Sequence, residues 1–293
     1  MLRHLAPAPT APARVVVIGG SGFVGGALCR RIARAQIPVL AITRQQIDLL
    51  ADGAEKQLRA ILQPGDAVVA AAARAPCRSL DMLVENVKMT RAMVAALKDA
   101  APSHVINISS DAVYADEPIP IDEETPTAPG TLHGAMHLAR EIAFRSDISA
   151  PLTIVRPTLL YGLEDPHNGY GPNRFRRLAA AGENIAVFGA GEERRDHVWI
   201  DDLAEIVFRI LMRRSIGVLN VATGEVHSFR ALAEAAAGAS RRKVAVEETP
   251  RVGPMPHNGY RPFDIEATRA AFPDFAYAPT IATVAKLQIL AER

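Results

Sequence analysis

Short apolar, β-branched runs alternate along the chain with longer segments whose apolar positions recur at helical spacing. Val15-Val16-Val17-Ile18 reads as a first buried strand, Gly26 to Ala35 as a helix ending before Pro38, and Val39 to Thr43 as a second strand. Asp66 to Ala72 and His104 to Ile108 supply two more strands. Between them, Met82 to Lys98 carries Val84, Val87, Val94 and Leu97 in a helical pattern. Leu152 to Arg156 and Val218 to Val221 read as later strands of the same sheet. Strands that are apolar on both faces and joined by helix-length connections predict an α/β protein with a doubly wound parallel sheet, not an antiparallel sandwich.

Proline and glycine punctuate this pattern. Pro7, Pro9 and Pro12 break the first residues into a segment read as a flexible tail, 1–13. After Arg156 the texture changes, with Gly162, Pro166, Gly169, Gly171 and Pro172 crowded together and a second Pro/Gly cluster running from Pro250 to Pro262. The division expected is a main sheet domain over 14–162 and 196–222 and a smaller, substrate-binding C-terminal lobe over 163–195 and 223–293.

Composition narrows the partners. With 293 residues, 49% hydrophobic and 22% charged, the chain has material for an ample core. Lys plus Arg (33) nearly cancels Asp plus Glu (32), which disfavours nucleic acid as the main partner. Cys29 and Cys77 are too few for a disulfide framework and lack paired metal-ligand spacing, so a reducing cytoplasm is the expected location. No apolar stretch is long enough to suggest a membrane span.

The richest chemical signal is Gly19-Gly20-Ser21-Gly22-Phe23-Val24-Gly25, a glycine cluster between the first strand and its helix. Gly19 and Gly22 let the backbone turn and approach a pyrophosphate, whose charge a helix N-terminus stabilises; Gly25 lets helix and strand pack closely. The spacing is GxxGxxG. At the end of the second strand, where an acidic residue would bind a ribose 2′-hydroxyl, the chain has Thr43-Arg44. A guanidinium there suits a 2′-phosphate, which favours NADP over NAD, while Asp48 and Leu49 are placed to flank the adenine.

With these residues in view the sequence resembles the extended short-chain dehydrogenases/reductases of the NAD-dependent epimerase/dehydratase family. The resemblance is carried in order by the glycine motif, Asn86-Val87, Ile108-Ser109-Ser110-Asp111-Ala112-Val113-Tyr114, Arg156-Pro157-Thr158-Leu159-Leu160-Tyr161-Gly162, Arg195-Asp196-His197-Val198-Trp199-Ile200-Asp201-Asp202 and Asn220-Val221-Ala222-Thr223-Gly224. It implies hydride transfer on a nucleotide-activated sugar. It further implies that Phe23, Val24 and Ala71, Ala72 and Ala73 line the cofactor, that Pro157 lies near the nicotinamide, and that Ser110 hydrogen-bonds the reacting sugar oxygen. Asp111 and two phosphate-binding arginines, Arg195 and Arg261, complete the implied substrate set; taken alone, each arginine reads as a solvated surface charge. Asp201 and Asp202 read as helix caps. The family also implies a homodimer through the helices near Met82 to Lys98 and His133 to Arg145.

One departure is central. The family's Tyr and Lys, four residues apart on a helix, align here with His133 and His137, and none of the five lysines (Lys56, Lys88, Lys98, Lys243, Lys286) lies nearby. An imidazole titrates near neutral pH, so His133 is the candidate acid/base and His137, one turn on, the candidate for the ribose contact or a proton relay. His133, His137 and Glu141 also share a helical face, the spacing of a zinc pair, but the family alignment explains that face without a metal. Ala112, where the dehydratases of this family carry Glu, weakens sugar dehydration and leaves epimerisation or keto reduction. The competing class is a catalytically impaired dinucleotide-binding module with a sensing role.

Overall fold

The apolar runs pair side by side. The computed structural model describes residues 2–293. Its first half runs β1 (Arg3–His4), β2 (Val15–Ile18), α1 (Phe23–Arg34), β3 (Val39–Ile42), α2 (Ala54–Ile61), β4 (Ala67–Ala70), α3 (Leu80–Lys98), β5 (His104–Ile108), α4 (Leu132–Asp147) and β6 (Leu152–Pro157). It continues through β7 (Leu159–Tyr161), α5 (Pro172–Ala181), β8 (Ile185–Phe188), β9 (Arg194–Trp199), α6 (Ile200–Arg213) and β10 (Ser215–Val221). The remainder is β11 (Val226–Ser228), α7 (Phe229–Ala239), β12 (Val246–Thr249), β13 (Tyr260–Arg261), α8 (Glu266–Ala271) and α9 (Thr280–Ala291).

Seven strands form the main sheet in the order β1-β10-β6-β5-β4-β2-β3, all parallel except β1. Strands buried on both faces need apolar residues throughout, and β2, β4 and β5 are buried along their length. Helices α1 and α6 cover one face and α2, α3 and α4 the other, giving the doubly wound arrangement. The chain leaves β2 for β3 on one side and returns to β4 on the other. The strand order therefore reverses at the C-terminal ends of β2 and β4, where such sheets open a binding crevice.

The first residues are not a loose tail. β1 pairs antiparallel with β10, the Ala6 and Thr10 amides donate to Arg213 and Met212, and His4 bridges Ser215 Oγ (2.8 Å) and the Ala271 carbonyl (3.0 Å). Prolines forbid a long strand here but not a short one at the sheet edge, which they help to end.

A second core joins α5, α7 and α9 to β8 through Tyr161, Phe175, Phe229 and Leu232. β9 carries this region, pairing with β7, β11 and β13. The buried Asp196 carboxylate ties β9 to the turn after β10 by accepting from the Thr223 (3.0 Å) and Gly224 (2.8 Å) amides and from Thr158 Oγ1 (3.2 Å). Burial raises its pKa to about 6. Asp201 and Asp202 do not cap α6: the helix starts at Ile200, leaving both in its first turn, and Asp202 Oδ2 instead accepts from the Ala278 amide at 2.9 Å. No helix among the described residues is long and apolar enough to cross a membrane.

Candidate active site

At the reversal point the β2-to-α1 turn closes on the end of β4. Gly19 has φ +91°, and a Cβ on it would lie 2.7 Å from Ala72 Cα; a Cβ on Gly25 would lie 2.1 Å from the Gly19 carbonyl oxygen. Only glycine permits either approach. Helix α1 begins at Phe23 with Gly22 as its N-cap, no side chain caps it and no acid sits in its first turn. The Phe23, Val24 and Gly25 amides thus lack intrahelical partners and face the turn with the positive end of the helix dipole, an arrangement that suits a phosphate.

Beside this turn lies a cavity of about 260 Å3 whose lining includes Gly19, Gly22, Arg44, Asp48, Leu49 and Ala71 to Ala73, eight of the twelve residues expected to hold a cofactor. Ser21, Ile47, Arg74 and Met89, which motif reasoning missed, line it too. Arg44 is exposed at the mouth, 3.4 Å from Asp48. Phe23, Val24, Gly25 and Pro157 lie outside the lining: Phe23 packs on Gly162, Val24 on the core below, and Pro157 is buried where β6 meets β10. The donor set, a glycine turn with free amides, a guanidinium at the mouth and an apolar floor, fits a dinucleotide.

The second part of the site is built by α4. A Cβ on Gly134 would sit 2.0 Å from the Ala112 carbonyl oxygen, so glycine lets the helix press on the 3₁₀ turn at Asp111–Val113. This brings His133 within the influence of Asp111. Ser110 Oγ donates to Asp111 Oδ1 at 3.2 Å and accepts from the Ala112 amide at 3.1 Å. His133 and His137 meet edge to face with ring centroids 4.7 Å apart. Burial pushes the His133 pKa down, with Asp111 opposing and His167 adding to the fall. Burial, then the neighbouring His133 and Arg140, pushes His137 well below the usual imidazole range. Two residues that spacing did not single out act here. The Cys77 amide donates to His133 Nδ1 at 3.4 Å, and Arg140 lies one turn beyond His137.

Glu141 does not join the histidines. It is fully buried, accepting from Ser109 Oγ at 2.6 Å and from Arg156 Nε and Nη2 at 2.9 and 2.7 Å. Among the described residues no group of three or more His, Cys, Asp or Glu is placed to hold a metal. Nor are Arg195 and Arg261 solvated surface charges. Both are buried; Arg195 pairs with Glu193 at 2.6 Å and donates to the Pro256 carbonyl at 2.5 Å, while Arg261 pairs with Asp116 at 2.6 Å and Asp111 at 3.4 Å. Through Asp111, Arg261 is connected to Ser110, so these residues share one polar network.

Residues 15–222 match the NAD dependent epimerase/dehydratase family. The chain belongs to that family. The epimerase of N-acetyl-alpha-D-glucosaminyl-diphospho-ditrans,octacis-undecaprenol, a 4-epimerase from Escherichia coli O157:H7, is 29% identical over 73% of this chain and 66% of its own. The dTDP-6-deoxy-L-talose 4-dehydrogenase (NAD(P)(+)) of Kitasatospora kifunensis is 27% identical over 89% of this chain and 90% of its own. Among solved structures, a GDP-L-fucose synthetase from Naegleria fowleri bound to NADP superposes with a TM-score of 0.81 at 19% identity, covering 98% of this chain and 95% of the other. That likeness shows the fold. In this epimerase/dehydratase family member, the imidazole pair occupies the first turns of α4, beside the turn that holds Ser110 and Asp111.

Proposed function

We propose that the protein is an NAD(P)-dependent enzyme that reduces a keto group of a nucleotide-activated sugar, with NADP preferred over NAD. Relatives named as sugar epimerases and dehydrogenases support the substrate class, and the free amides of α1 with Arg44 at the cavity mouth support the dinucleotide.

The observation that carries reduction is the Cys77 contact. Because that amide donates to His133 Nδ1, the neutral ring bears its proton on Nε2. Burial keeps the ring neutral, so neither nitrogen has a lone pair free to take a proton from an alcohol. An Nε2–H does hydrogen-bond a carbonyl oxygen and stabilise the alkoxide that forms there. A reduced nicotinamide bound there would supply the hydride for the carbonyl carbon. His133 and Ser110 hold the oxygen, solvent supplies the proton that completes the alcohol, and Arg195 and Arg261 take the diphosphate by exchanging it for Pro256 and Asp116. Epimerisation would first need a base, which this tautomer does not offer.

The test is transfer of deuterium from [4-2H]NADPH to a panel of keto-sugar nucleotides, read by mass spectrometry. Label in the product, lost about a hundredfold or more in His133→Ala with NADPH affinity retained, supports the reading. Dinucleotide binding without transfer to any substrate supports the sensing module and overturns the reductase. A second copy of the chain is the proposed partner: Val84, Val87 and Ile142 expose apolar side chains along the α3–α4 face, which native mass spectrometry tests directly.

A further inference from the structure

Arg140 runs from α4 into the layer between helix and sheet and is 2% exposed. Its fork donates from Nε to Asn107 Oδ1, from Nη1 to the Ala72 carbonyl and from Nη2 to the Ala70 carbonyl, each at 2.6 Å. All three acceptors are neutral. Arg156, which reaches the same helix from β6, is matched instead by the buried Glu141 carboxylate. A guanidinium taken out of water without a counter-ion is costly, and a purely structural clamp between helix and strand would not need the charge. Burial lowers the Arg140 pKa only to about 10, so the charge is present at neutral pH.

Two of its acceptors belong to the end of β4, and Ala72 walls the dinucleotide cavity. One turn back along α4, His137 has an Nδ1 with no partner. The groups around that ring are His133 and Arg140 on α4; around His133 stand Asp111 from the turn after β5, His167 from the loop before α5 and Cys77 from the loop before α3.

We propose that Arg140 is a positioning residue of the dinucleotide site: its fork pins the Ala70–Ala73 wall, and its unmatched positive charge sets the electrostatics of the cavity and the imidazole pair. The first part rests on the dinucleotide reading above; the second does not.

Two variants separate charge from clamp. Asn107→Asp keeps an oxygen where the fork needs it but neutralises the guanidinium. Arg140→Lys keeps the charge and loses the fork. NMR titration of the histidines in the ligand-free protein, the Kd for NADPH and the Tm are read for each. Asn107→Asp is expected to keep or raise the Tm, to raise the His137 midpoint by about one unit, and to weaken NADPH about tenfold. Arg140→Lys is expected to leave that midpoint near the wild-type value while weakening NADPH. An unmoved His137 midpoint in Asn107→Asp overturns the charge role, and unchanged NADPH affinity in both variants overturns the positioning role. A wild-type protein that binds neither NADPH nor NADH retires the dinucleotide reading and the wall-pinning with it, and the His137 titration still decides the rest.

Discussion

Helices α1 and α4 start in the same way and finish with opposite chemistry. Each presses its first turn onto a neighbouring turn through a glycine whose Cβ would overlap a carbonyl oxygen, Gly25 on Gly19 at 2.1 Å and Gly134 on Ala112 at 2.0 Å. At α1 no side chain caps the helix, so its first backbone amides stay free at the glycine turn beside the cavity. At α4 the Thr131 hydroxyl caps the helix by accepting from the Gly134 amide at 3.1 Å, and side chains, His133 and His137, are what the turn presents. Close packing fixes position in both places; the cap decides whether the position offers backbone donors for an anion or a side-chain ring that hydrogen-bonds a reacting oxygen.

The strongest way to break the comparison is to remove the shared device. Gly25→Val and Gly134→Val each drive a branched side chain into a carbonyl oxygen. Each is expected to cost at least ~3 kcal/mol, read as a large fall in urea midpoint or a loss of soluble protein. If either variant keeps wild-type stability, that helix does not depend on the close approach.

Exchanging the caps is gentler and more pointed. Gly22 has φ −76°, and a Cβ there would lie 3.3 Å from the Gly19 oxygen, so a serine fits with a small adjustment. Gly22→Ser gives α1 the kind of cap α4 has. The expected result is an unchanged or higher Tm with NADPH affinity down about tenfold by calorimetry, because the hydroxyl takes amides that would otherwise meet phosphate. Undiminished affinity would show that the free amides are not the phosphate site.

These two helix starts were unequally legible in the sequence. The α1 turn is set by local rules, a buried strand, glycines at fixed spacing and a helix, so Gly19, Gly22, Arg44, Asp48 and Leu49 are legible from residue types alone, whereas Ala71 to Ala73 come only with the family resemblance. The α4 site depends on contacts between distant segments. That the Cys77 amide reaches His133 across 56 positions, or that Arg140 ends on the Ala70 and Ala72 carbonyls at and just beyond the end of β4, leaves no periodic trace. The face shared by His133, His137 and Glu141 was visible; that Arg140 lies on it too was not singled out, because a lone arginine on a helix is usually solvated. Burial of Arg195 and Arg261 escaped for the same reason, and β1 because a two-residue edge strand carries no pattern.

The smallest effect expected, on the pH dependence of stability, also divides the two helices. His104 and His197 are held down to about 4 and about 3 by burial, so between these values and the unfolded 6.5 the unfolded chain binds the extra protons and acid destabilises the protein. Asp196 and Asp202, raised by burial to about 6, act in reverse between 3.8 and 6, where the native state holds the extra protons and acid stabilises it. Over pH 6 to 4.5 these two pairs nearly cancel. The imidazole pair of α4, both members lowered, adds to the fall in stability as pH drops below 6.5. The double variant His133→Gln/His137→Gln is therefore expected to flatten the Tm against pH over 6.5 to 4.5 by a few degrees. Gly22→Ser, at the α1 end where no imidazole lines the cavity, should leave that slope as it is in the wild type. Equal slopes in all three proteins would mean that the acid response arises away from α4, and that the two histidines are not held neutral by the burial that sets their proposed role.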